Sequence, residues 1–106
     1  MKIEFEQAYL RELYEEGKAS GKKHRFQPQV INQYKKAVDK LKAALTIEEL
    51  YPLRSLNYEK LGGNKNGLES VRVNDQYRIE FRSRIEGEEP DLITICSITE
   101  LSNHYK

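Results

Sequence analysis

The spacing of apolar residues changes character halfway along the chain. In the first half it is helical. Tyr9, Leu10, Leu13 and Tyr14 recur on one face between Glu6 and Glu16, and Gly17 supplies a stop. Val30, Ile31, Tyr34, Val38, Leu41 and Leu45 form a second stripe, on a helix opened by Gln27-Pro28, with Lys35, Lys36, Asp39, Lys40 and Lys42 directed outward. A short strand over residues 2–5 precedes the first helix. A brief helical turn begins at Thr46 and ends at Tyr51-Pro52-Leu53. From residue 54 the period falls to two. Leu56, Tyr58 and Leu61 mark an irregular extended segment, and residues 62–67 a glycine- and asparagine-rich turn. Two strands follow at 68–74 and 77–84, joined by a tight Asn74-Asp75 turn. An acidic loop over 85–90 leads to a third strand over 91–98. Its Leu92, Ile93, Ile95, Cys96 and Ile98 fit an interior position. Residues 99–106 read as a polar tail.

The order is strand, two helices, then an antiparallel meander. It predicts one α+β domain over residues 1–106, with an N-terminal strand and a helical hairpin packed on a small twisted antiparallel sheet. Alternation sends Val71, Val73, Ile79 and Phe81 to the face beneath the helices and Arg72, Arg78 and Arg82 to the other, open face. A core has no use for guanidinium groups spaced in this way. A planar, permanently charged fork suits phosphate, so the stripe points to a nucleic-acid backbone.

Charge sharpens this picture. The net charge is only +1, but it is unevenly spread. Residues 1–17 are acidic. Residues 18–42 carry eight lysines and arginines against Asp39 alone, and residues 54–84 carry seven against four acids. Such blocks fit a localised electrostatic footprint, although the first is equally well read as a solvated helix face. A lone Cys96 within an apolar run excludes an internal disulfide and reads as a small core residue. The first residues lack the apolar stretch of a signal peptide, and no run approaches the roughly 20 apolar residues of a membrane span. A soluble cytoplasmic protein is expected, with no membrane partner.

The histidines, His24 and His104, have no ligand-spaced companion, so neither a metal nor a cofactor is expected. What remains is Lys60, Lys65, Arg72, Arg78, Arg82, Glu59, His104 and Tyr105. Cleaving RNA needs few parts. A base takes the 2′-hydroxyl proton, cations stabilise the phosphorane, and an acid protonates the leaving 5′-oxygen. The ribose supplies its own nucleophile. Taken alone, a terminal His-Tyr pair more often reads as a frayed end.

Over residues 54–84 the chain resembles the RelE/ParE superfamily of type II toxin–antitoxin toxins, in particular its HigB (plasmid maintenance killer) branch. A leucine, a glycine-bearing turn, an arginine-containing strand, an asparagine and a Tyr-Arg-Ile strand recur there in order. Here they are Leu61, residues 62–67, Ser70-Val71-Arg72-Val73-Asn74 and Tyr77-Arg78-Ile79. The family's closing Asp-Tyr-His is echoed by Asn103-His104-Tyr105, with imidazole and phenol exchanged. The likeness covers nearly the whole chain as architecture and under half of it as motif. It implies a RelE/ParE-like fold and a growth-inhibiting mRNA interferase that cuts transcripts in the ribosomal A site. It implies Arg72 and Arg78 as phosphate-binding and transition-state-stabilising residues, His104 as general acid or base, and Tyr105 as a stacking or proton-donating group. Lys60 joins them as a catalytic residue, with Lys65, Arg82, Glu59 and Asn74 in RNA binding. Segment 58–62 has no histidine where the branch often carries one, which leaves the general base open between Lys60 and Glu59. The implied partner is a cognate helix-turn-helix, HigA-like antitoxin. Two alternatives remain: a ParE-like toxin that poisons DNA gyrase, and an inactive RNA- or protein-binding module.

Overall fold

The computed structural model of the chain describes residues 1–103. Strand β1 (Lys2–Phe5) leads into helices α1 (Ala8–Glu16) and α2 (Pro28–Ala43), followed by strands β2 (Glu59–Lys60), β3 (Glu69–Arg72), β4 (Tyr77–Glu86) and β5 (Ile93–Asn103). Short 3₁₀ turns occupy Ile47–Leu50, Arg54–Leu56 and Gly63–Lys65. The sheet order is β1-β5-β4-β3-β2. The meander is antiparallel throughout, and β1 joins β5 in parallel at the far edge. This is the expected α+β arrangement.

The helices form where the apolar stripes place them. α1 ends at Gly17, whose φ of +76° is left-handed and costs glycine little. α2 opens with Pro28 in its first turn and buries Ile31, Tyr34, Ala37, Val38 and Leu41. Tyr34 is fully buried, and its hydroxyl donates to the Leu10 carbonyl at 2.7 Å, which joins the helices and satisfies the phenol in the core. Val71, Ile79, Phe81, Cys96, Ile98 and Leu101 complete this core from the sheet.

Five expectations need correction. The third strand of the meander starts at Ile93 and not at Asp91, and Leu92 and Ile93 are exposed where an interior position was expected. Leu45 is not part of the α2 stripe. The helix ends at Ala43, Ala44 turns extended, and Leu45 is left exposed. The β3–β4 turn is centred on Asp75-Gln76, because the Asn74 amide already pairs with the Tyr77 carbonyl. β4 continues through Ile85 to Glu86, so the loop is shorter than 85–90 implies at its start. The segment from Thr99 is strand as far as Asn103. A register shift opposite Glu80 and Phe81 moves the pairing from Glu100 to Ile98 and leaves Thr99 as the extra residue. The bulge puts Ile98 and Leu101 on the same buried face, which strict alternation forbids.

Candidate phosphate-binding face

On the sheet face turned away from the helices, side chains line up in cross-strand rows. One row is acidic and polar: Glu59 opposes Ser70, Ser70 opposes Glu80, and Glu80 opposes Glu100. The neighbouring row is cationic. Arg72 opposes Arg78 directly, and Arg78 opposes Ser102 on β5. The two arginines therefore share one face, side by side. Like charges placed directly opposite each other are unfavourable, so each needs a counter-charge.

Glu80 supplies one. It is 2% exposed, although it lies on the charged face. Its Oε2 accepts from Arg78 Nε at 3.0 Å and from Lys65 Nζ at 2.6 Å. Burial by itself raises the Glu80 carboxyl; the Lys65 ammonium and then the Arg78 guanidinium outweigh it and hold the group below its ordinary value. Lys65 comes from the 3₁₀ turn at 63–65, so this ion pair also folds the glycine-rich segment down over the sheet. Arg72 pairs with Asp75 across the β3–β4 turn. Toward the other end of the face, Arg84 on β4 reaches over β5 to Glu4 on β1 and also binds Glu86. Ile95 and Ser97, both buried, lie on the strand it crosses. Arg72, Arg78, Lys65 and Arg82 gather toward the opposite end of the face from this ion-paired cluster.

The remaining expected residues divide clearly. Arg82 is exposed, carries no ion pair among the described residues, and lies against Gly67. Glu59 is on the arginine side and accepts from Asn57 Nδ2. Lys60 is not brought to the arginines. It opposes Glu69 in register, and Glu69 shares its side of the sheet with Phe81, beneath the helices. Asn74 works within the fold. Its carbonyl accepts from the Gln76 and Tyr77 amides and its own amide donates to Gln33. His104 and Tyr105 lie outside the described residues. The described chain ends on β5 with Ser102 opposite Arg78 and Asn103 opposite Tyr77. Sequence reading missed Glu80. Its signal was present in the alternation, since a glutamate two residues from arginines on both sides must share their face.

The two-helix layer on this five-stranded sheet order is the RelE/ParE-like fold of small toxins. The model of the family described as RelE-like toxin of type II toxin–antitoxin system HigB matches residues 3–92. The chain is 35% identical over 83 residues to Toxin HigB-1 of Vibrio cholerae serotype O1, across 77% of this chain and 83% of that protein. A solved structure described as a YoeB/ParE toxin from Agrobacterium tumefaciens superposes with a TM-score of 0.52, covering 99% of this chain and all of the other at 17% identity, a likeness of fold. The chain belongs to the HigB-like toxins of type II toxin–antitoxin systems. Such a toxin implies an antitoxin partner.

Proposed function

We propose that this toxin is an endoribonuclease that cleaves mRNA on the ribosome, by attack of the ribose 2′-oxygen on the neighbouring phosphorus. One observation carries the reading: Arg72 and Arg78 are direct cross-strand partners, and β5 runs beside them with Ser102 opposite Arg78. His104 and Tyr105 follow Asn103 in the sequence. The two guanidiniums bind the scissile phosphate and stabilise the charge that grows on its oxygens, and His104 protonates the departing 5′-oxygen. Tyr105 stacks on a base. Lys65 and Arg82 extend the cationic track for the flanking phosphates. Glu59, one row from Arg72 on the same side, is the better-placed carboxylate for taking the 2′-hydroxyl proton, and Lys60 gives up that role. Asn74 holds the turn that aligns Arg72 and Arg78. The whole of residues 1–106 acts as one cytoplasmic domain without a cofactor, restrained by a HigA-like helix-turn-helix antitoxin.

The test is a translation reaction with a defined transcript, read by primer extension. The wild-type chain cuts within translated codons. Arg78→Ala lowers the rate by about 100-fold or more, as loss of an oxyanion donor does. Expression of Arg78→Ala or His104→Ala no longer arrests growth. Growth arrest with intact transcripts and a DNA-damage response would instead place the toxin with the gyrase poisons.

A further inference from the structure

β4 and β5 run on past the helices. On the helix-side face of β4, Ile79 and Phe81 are sealed, Ser83 is half-buried and Ile85 is 67% exposed. On β5 the same face passes from Ile98 and Cys96 to half-buried Thr94. The segment after α2 and the end of the glycine-rich turn flank this stretch without filling it. Between them lies a cleft of about 620 Å³ whose lining includes Thr46, Tyr51, Tyr58, Glu69 and Ser83. A second hollow of about 440 Å³ shares Thr46, Ile85 and Thr94 with it and continues to Leu45, Leu92 and Ile93. The result is one groove, polar at its inner end and apolar at its outer end.

Glu69 lies at the inner end and is 9% exposed. Its two oxygens accept from the Tyr58 and Ser83 hydroxyls, each at 2.5 Å. Both donors are neutral, and among the described residues no cation reaches it within ion-pair distance. Buried acids are ordinarily paired with a cation. Lys60 lies opposite in register without making that pair, and the Arg84 guanidinium is held by Glu4 and Glu86. Tyr51 and Tyr58, with ring centroids 5.2 Å apart, wall the cleft beside it. Their faces attract a cation. Exposed Glu48 stands at the mouth of the same cleft, whose lining also includes Lys60 and Arg84, so the negative charge is local to Glu69 and the tyrosine pair.

We infer that this groove docks the antitoxin, through a segment that places an arginine or lysine against Glu69 and the two tyrosines and packs apolar neighbours on Leu45, Ile85 and Ile93. The inference rests on the family's having an antitoxin and is independent of the nuclease reading. The groove lies toward the β4–β5 hairpin end of the sheet, where Ser83, Ile85 and Thr94 line it from the helix side and Arg84 and Ile93 from the other, away from the Arg72–Arg78 pair.

Calorimetric titration of the full chain with the purified helix-turn-helix protein encoded beside it tests this. Ile85→Glu and Glu69→Gln each weaken binding at least 10-fold, while both variants cleave transcripts at the wild-type rate. As a direct probe, the peptide acetyl-Leu-Arg-Leu-amide shifts the backbone amide signals of Ser83 and Thr94, and its citrulline counterpart shifts them far less. Glu69→Gln removes that preference. Ile85 is exposed, so its variant keeps the test alive should Glu69→Gln not fold. Unchanged antitoxin affinity in Ile85→Glu, equal response to arginine and citrulline peptides, or no complex with the wild-type chain would each overturn the assignment. Loss of transcript cleavage in every sample, with these binding results intact, would count against the nuclease alone.

Discussion

Glu80 shows how one side chain organises a charged surface. Its buried carboxylate accepts from two cations, so removing its charge takes a shared counter-charge away from Arg78 and Lys65. Breaking a buried pair costs about 3–5 kcal/mol. Lys65 is partly solvated, so Glu80→Gln should cost about 2–4 kcal/mol in urea unfolding. The pH dependence has a definite sign. The folded Glu80 holds its proton more weakly than the unfolded chain does. Its contribution is therefore complete above the ordinary carboxylate value and is lost as pH falls through the lower folded value. Wild-type stability should drop with acidification below about pH 4.5, and Glu80→Gln should show a flatter profile. At this scale the sequence was half legible. Alternation placed Arg72, Arg78 and Arg82 on one face and could equally have placed Glu80. It could not rank Lys60 against Glu59, because the parity of a two-residue strand is set by its partner.

Among the elements, the β4–β5 hairpin does most to shape the molecule. It carries the arginine row at one end and the uncovered groove at the other. Its turn depends on Gly87, whose φ is +99° and where a Cβ would meet the Asp91 carbonyl oxygen at 2.5 Å. Gly87→Ala should destabilise the chain by about 1–3 kcal/mol, read as a lower thermal midpoint. The helices were legible because a 3.6-residue stripe with a proline start and a glycine stop has few other readings. The last part of β5 was not. Beyond Ile98 the sequence reads Thr-Glu-Leu-Ser-Asn, polar enough for a tail. The bulge at Thr99 that restores Leu101 to the core is a property of the pairing with β4, to which the Thr99 hydroxyl also donates, at the Glu80 carbonyl.

Across the whole molecule, one core is shared by helices and sheet, and Cys96 reports on it. The thiol is fully buried in the middle of the sheet, and burial pushes its pKa up to about 12. It should resist an aromatic disulfide reagent at pH 8 in the native protein and react within seconds once urea unfolds it, which makes its rate a direct measure of global opening. The tyrosines act in the same sense at high pH. Tyr34 is raised by burial, and Tyr58 by burial and then by its bond to Glu69. Because both hold their protons more tightly when folded, their stabilisation is full below pH 10 and is lost as pH rises beyond it.

The sheet order has a consequence for how the chain is made. β5 is the last strand in sequence yet sits between the first strand and the rest of the meander. A nascent chain lacking residues 93–103 has β1 with no neighbour and a hydrophobic core open along its middle. Local helices can form early, but the closing contacts span almost the entire length and come late. The arginine row therefore acquires its backing only after synthesis has passed residue 93, and a translation product truncated before β5 would lack a closed sheet and be easy prey for proteases.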